Sequence, residues 1–206
     1  MKETPWWYLF LWGIGFLLFK IFFSLKIEGD RKILKKGAAI IVANHRSYLD
    51  PVVLALLVPR RMNFMAKEEL FQNTIFGWLI TKLGAFPLKR DRLDKKAYQR
   101  AIEVVKEKKL LALFPEGTRS RSGKLGNFKE GSIRIALHLK VPIVPVVIRG
   151  TEKALPAGAR FIKLGKIRLK VGRPILPDSF SGEKEERIKS ILRILREEMI
   201  GMGANR

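Results

Sequence analysis

No cysteine occurs in the 206 residues. Disulfides, a thiolate nucleophile and cysteine metal sites are therefore excluded. Histidine is almost as scarce. His45 and His138 are the two in the chain, and their separation argues against a histidine zinc site, so no metal is expected. No G-x-S-x-G elbow is present, so nothing marks a serine nucleophile. Acidic side chains are few: 19 Asp+Glu face 41 Lys+Arg, a formal charge of +22. Such an excess suits a polyanionic partner, whether nucleic acid, an anionic lipid surface or a phosphorylated substrate. No fixed-period repeat interrupts the chain, and its length suffices for one domain with a real core.

Long uncharged apolar runs are confined to the start. Trp6 to Phe19, WWYLFLWGIGFLLF, carries no charge, and IFFSL extends it past Lys20 to Leu25. A Lys-Glu beginning and the lack of a small-residue cleavage site argue against a signal peptide. The segment reads as a retained membrane anchor over residues 1–26, ahead of a domain over residues 27–206. As a helix, Trp6 to Leu25 would reach about 30 Å, just enough to span a bilayer. Trp12 would then lie deep, and Gly13 and Gly15 weaken the middle. A helix lying flat on the surface needs a polar face, which this segment lacks. Two short helices, broken near Gly13–Gly15 and dipping into one leaflet, are favoured over a single span. Trp6, Trp7, Trp12, Phe16, Phe19 and Phe22 are the expected anchoring side chains. The basic domain behind them is expected on the cytoplasmic face of the cell membrane.

Beyond Lys26 the pattern alternates. Strands are predicted over Ala38–Ala43, Met62–Ala66, Ala85–Leu88, Leu110–Phe114, Ile143–Ile148 and Ile167–Val171. Helices are predicted over Pro51–Val58, over Glu68–Leu83 in two pieces interrupted at Asn73 and Gly77, and over Leu93–Lys108, Lys129–Leu139 and Glu183–Ile200. This order predicts an α/β domain with a mixed, largely parallel sheet flanked by helices, preceded by the anchoring segment. Ligands in such sheets gather at the carboxyl ends of the strands.

Two stretches sit at such ends. In NHRSYLD, His45 follows a buried strand and Asp50 precedes Pro51. A carboxylate at Asp50 can cap the next helix. It can also accept the Nδ1–H of His45, fixing the tautomer and leaving Nε2 as an outward base. Such a base can take the proton of an attacking hydroxyl. In FPEGTRS, Gly117 lets backbone amides approach a ligand, and Arg119 can grip a phosphate through two bonds. His138 falls within a predicted helix, where a structural role is expected.

These blocks resemble those of the glycerolipid acyltransferases. NHRSYLD matches the family's N-H-x-S-x-x-D block (the HX4D motif), FPEGTRS its second signature, and VPIVPVVI its proline-containing strand. The three stand in the family's order, between roughly Leu34 and Val171. The resemblance implies that His45 is the general base and Asp50 its orienting partner. It places Glu116, Gly117, Thr118 and Arg119 in the acyl-acceptor site, with Arg119 on a phosphate. The family's G-x-x-F-x-x-R block is met imperfectly by GAFPLKR: Gly84 and Arg90 match, but the aromatic stands one position early at Phe86. Arg90 and Lys67 are further phosphate candidates. No cofactor is implied; an acyl carrier protein or coenzyme A thioester serves as co-substrate.

With the anchor, the resemblance points to 1-acylglycerol-3-phosphate (lysophosphatidic acid) as acceptor and phosphatidic acid as product, made by direct attack on the thioester. The expected partners are that lysophospholipid, the acyl thioester and an anionic membrane surface, with no nucleic acid. Glycerol-3-phosphate or another lysophospholipid remains an alternative acceptor, and a basic protein that binds lipid or RNA without chemistry is the rival from another class. Oxyanion donors are sought near Gly117 or in the turn after His45. Phe71 to Ile80, FQNTIFGWLI, suits either plain core or the lining of an acyl tunnel.

Overall fold

The computed structural model describes residues 4–89, 94–120, 122–156, 158–159 and 161–205. Among these, the strands are β1 (Lys26–Glu28), β2 (Ala39–Ala43), β3 (Met62–Lys67), β4 (Ala85–Leu88), β5 (Leu110–Leu113), β6 (Ile143–Arg149) and β7 (Arg168–Val171). They form one sheet in the order β1-β7-β6-β2-β5-β3-β4. The five from β6 to β4 run parallel; β7 is antiparallel to β6, and β1 runs parallel to β7. The expected mixed, largely parallel sheet is thus present. The edge strand β1 escaped sequence reading because three residues are too few to show an alternation.

The helices are α1 (Trp6–Phe22), α2 (Lys32–Lys35), α3 (Asp50–Ala55), α4 (Thr74–Leu83), α5 (Lys95–Lys106), α6 (Gly131–Leu139), α7 (Thr151–Ala154) and α8 (Lys184–Gly201). Strand β2 is buried throughout, as a central parallel strand must be. Its alternation divides the core. Ala39, Ile41 and Ala43 pack with Val53 and Leu54 of α3 and Leu57 just beyond it on one side. Ile40 and Val42 face α5, α6 and α8 on the other, with Ala101, Ile133, Ile188 and Ile191 among the contributors. Helix α8 begins with a reciprocal capping box between Glu183 and Glu186.

Two expectations fail. The first is the break near Gly13–Gly15: α1 is one continuous helix of 17 residues. Its inner side is held along its length by packing, which outweighs the low helix preference of two glycines. Trp12, Phe16 and Phe19 pack against the same core as α3. Trp12 stacks on Phe16 and Phe19 on Phe23, at centroid separations of 5.1 and 4.8 Å. Burial pushes the Tyr8 hydroxyl above its ordinary pKa, partly offset by the Met62 backbone and the Arg61 guanidinium. The outer side carries Trp6, Leu9, Phe10, Ile14, Leu17, Leu18, Ile21 and Phe22, all exposed; Trp7 is half-buried. Among the described residues no helix is long and apolar enough to cross a membrane.

The second is Phe71 to Ile80 as core. A 3-10 turn (Glu68–Phe71) precedes α4, and the Asn73 side chain caps α4 by accepting from Phe76 N at 2.9 Å. Gly77 does not interrupt the helix. It lets α4 approach that turn: a Cβ there would lie 2.9 Å from the Phe71 carbonyl oxygen. Of the helix's residues only Gly77 is buried, and Ile75 and Trp78 are 82% and 63% exposed. Helix α4 lies beside β4, the edge strand, and among the described residues no further layer covers it.

Candidate active site

Strands β2 and β5 are parallel neighbours, so the segments leaving their carboxyl ends share one rim of the sheet. His45 lies two residues past β2. Its Nδ1 is 2.8 Å from Asp50 Oδ2. The same Oδ2 accepts the backbone N–H groups of Arg46 and Ser47 at 2.5 and 2.7 Å. Asp50 Oδ1 accepts the Thr151 hydroxyl at 2.6 Å. Asp50 is fully buried, and these four donors stabilise its carboxylate there. Asp50 is the first residue of α3, and its side chain makes no cap bond to the helix; the capping role expected for it is replaced by bonds to the preceding turn.

The His45 ring stacks on Phe114, with centroids 4.1 Å apart and planes 19° from parallel. Its side chain is 13% exposed, and Nε2 has no hydrogen-bond partner among the described residues. With Nδ1 engaged by a carboxylate, Nε2 is the acceptor nitrogen available to a ligand. Asn44 locks the strand end behind it: its amide donates to the Ile148 carbonyl and accepts from Ile148 N, at 2.9 and 2.7 Å. Ser47 donates to the Leu155 carbonyl at 2.9 Å.

The segment after β5 is tied to the first. Glu116 accepts from His45 N and from Gly126 N, at 3.2 and 2.9 Å, so both carboxylate oxygens hold backbone. The His45 carbonyl accepts from Ser120 N at 2.8 Å. Gly117 has φ near +72°, and a Cβ there would sit 3.0 Å from Cε of Lys129. The Arg119 guanidinium lies over the Tyr48 ring, 3.5 Å from its centroid. An open groove of about 610 Å³ runs alongside, lined by Thr118, Ser120, Lys124 and Lys129 among others. The amides of His45, Arg46 and Ser47 are all engaged, so these three are not available as oxyanion donors. Gly117 N is likewise bonded, to the Phe114 carbonyl. The amides of Thr118 and Arg119 make no hydrogen bond within the described residues.

A family model described as Acyltransferase matches residues 24–149, a span that contains both segments. The chain belongs to the acyltransferase family. Similar relatives include the chloroplastic 1-acyl-sn-glycerol-3-phosphate acyltransferase LPAT1 of Arabidopsis thaliana, 34% identical over 158 residues that make up 75% of this chain and 44% of the relative. The 1-acyl-sn-glycerol-3-phosphate acyltransferase of Bacillus subtilis is 28% identical over 77% of each chain. Among solved structures, the 1-acyl-sn-glycerophosphate (LPA) acyltransferase PlsC from Thermotoga maritima matches with a TM-score of 0.77 and 34% identity, over 97% of this chain and 80% of that one. The chain spans about half the length of several plant relatives it matches.

For this acyltransferase-family chain the other expected site residues divide. Lys67 ends β3 on the same rim, but its ammonium pairs with Glu69 at 2.6 Å. Lys89 pairs similarly with Glu68 at 3.2 Å. Arg90 lies outside the described residues. Thr118 is exposed beside the groove, and His138 is exposed on α6. Sequence reasoning missed Thr151, Phe114 as the His45 platform, and Tyr48 as the Arg119 platform. Phe114 and Tyr48 lay inside the quoted blocks, where residue type hinted at stacking. Thr151 could be found only by knowing that β6 lies beside β2.

Proposed function

We propose that the chain transfers an acyl group from a thioester to the sn-2 hydroxyl of 1-acylglycerol-3-phosphate, giving phosphatidic acid. The observation that carries this reading is the His45–Asp50 contact with Nε2 left free. The acceptor hydroxyl gives its proton to Nε2 as its oxygen attacks the thioester carbonyl. The C–S bond then breaks, and the imidazolium returns the proton to the departing thiolate. No acyl-enzyme forms. Asp50 keeps the ring oriented and stabilises the imidazolium, while Phe114 limits its tilt. Arg119, its flat face on Tyr48 and its edge free, binds the acceptor phosphate. Thr118 and Arg119 amides are the oxyanion donors.

The acceptor is a membrane lipid, and the apolar outer side of α1 supports a seat in one leaflet, on the cytoplasmic face of the cell membrane. The basic surface supports contact with anionic headgroups. The donor is an acyl carrier protein or coenzyme A thioester. One labelled acyl thioester offered with lysophosphatidate, glycerol-3-phosphate and lysophosphatidylcholine tests the reading, run with each donor. Lysophosphatidate should be acylated fastest; a preference for either of the others overturns the acceptor. His45→Ala should lower turnover on the order of 10³-fold while leaving fold and vesicle binding intact, and near-normal turnover would remove the base.

A further inference from the structure

The segment from Phe161 to Lys166, FIKLGK, joins α7 to β7 and plays no part in the site above. It is exposed and apolar where a connecting loop is ordinarily polar. Phe161 is 82%, Ile162 54% and Leu164 71% exposed. Lys163 and Lys166 alternate with them and are also exposed. No acidic residue occurs between Glu152 and Asp178. On β7, which follows directly, Arg168 and Lys170 point outward while Leu169 and Val171 point in.

Its place in the fold is fixed at both ends. Ile167 N donates to the Phe23 carbonyl just past α1, and Lys26 N donates to the Ile167 carbonyl, at 2.9 and 3.0 Å. The segment therefore emerges beside the end of α1 where Leu18, Ile21 and Phe22 are exposed. At its other end Lys163 N donates to the Ala154 carbonyl at 2.8 Å. Its neighbour Leu155 receives the Ser47 hydroxyl, and Thr151 at the start of α7 holds Asp50. One segment thus adjoins both the apolar helix and the turn that carries the base.

We propose that Phe161–Lys166 is a second membrane-inserting element, for an anionic bilayer. Phe161, Ile162 and Leu164 enter the acyl region, while Lys163, Lys166, Arg168 and Lys170 stay at the level of the lipid phosphates. Alternation of apolar and basic residues without a carboxylate favours a lipid surface over a protein one, whose charges are of both signs. With α1 at one end and this segment at the other, the membrane contact becomes an area instead of a line. It holds the rim bearing His45 beside the headgroups. The proposal rests on the membrane-bound reading above and extends it.

Because the chain lacks cysteine, single cysteines can be labelled cleanly. Ile162→Cys, Leu17→Cys and Ser181→Cys, each bearing an environment-sensitive fluorophore, are mixed with protein-free phosphatidylglycerol–phosphatidylethanolamine vesicles containing acyl-chain nitroxides. Fluorescence at 162 and 17 should rise and be quenched, and that at 181 should not. Insertion at 17 without insertion at 162 overturns the second element while the membrane reading stands. Silence at both overturns the two together. The unlabelled triple variant Phe161→Ser, Ile162→Ser, Leu164→Ser should bind these vesicles about tenfold or more weaker. Unchanged binding overturns the proposal.

Discussion

The segments leaving β2 and β5 lie side by side, yet they are built in opposite ways. The first is wired inward. Both Asp50 oxygens, the Ser47 hydroxyl and three successive amides are bonded within the protein, and His45 emerges with one free nitrogen. The second keeps groups in reserve. Among the described residues Arg119 touches only an aromatic face, and the amides of Thr118 and Arg119 have no partner. The difference teaches what each chemistry requires. A base must hold one tautomer in one direction, so its surroundings are saturated. An anion site must still have unbonded donors when the ligand arrives. Glu116 belongs to the inward wiring despite its place in the second segment, because its carboxylate clamps the amides of His45 and Gly126.

Breaking the inward wiring should have the largest effect. Asp50→Asn keeps the shape but replaces one acceptor oxygen with a donor. Turnover should fall on the order of 10³-fold or more with the circular dichroism unchanged, measured in the same acyl-transfer assay. Arg119→Ala attacks the outward segment instead. It should raise KM for lysophosphatidate by about 10–100-fold, the equivalent of one or two charged hydrogen bonds, with a much smaller change in kcat. If both substitutions act on kcat alone, the contrast between the segments disappears.

Smaller changes sharpen the same contrast. Thr151→Val removes a single donor from Asp50 Oδ1 and should lower kcat by about three- to tenfold, without raising KM. Tyr48→Ala removes the platform beneath Arg119. KM for the phosphorylated acceptor should rise about two- to fivefold, and Tyr48→Phe, which keeps the ring, should behave as the parent. A loss of kcat in Tyr48→Ala would place Tyr48 with the base and not with the phosphate.

Much of this arrangement was legible in the residues. His45 and Asp50 were paired from their spacing and the strand before them, and the structure brings them within a hydrogen bond. The strand and helix order was legible because apolar periodicity is local. Element ends shifted by one to three residues, as with the strand expected over Ile167–Val171 and found over Arg168–Val171, and the helix expected over Pro51–Val58 and found over Asp50–Ala55. Glu116 was placed in the acceptor site by the family resemblance; that the His45 amide would claim one of its oxygens depends on a 71-residue separation. The unbroken α1 was hidden because two glycines weaken a helix in isolation, while the packing of Trp12, Phe16 and Phe19 is a tertiary term.

By itself the sequence determined the alternation of strands and helices, the motif residues, the basic surface and the apolar N-terminus. Each of these follows from neighbours a few positions apart. Only the tertiary structure decided that β6 lies beside β2, which brings Thr151 to Asp50 and Leu155 to Ser47 across more than 100 positions. It also decided which side of α1 is protein and which is left apolar outside. Strand order is set by which buried faces pack together, and that choice is made among distant segments at once. No local pattern encodes it, so the donors that hold Asp50 became visible only when the sheet was assembled.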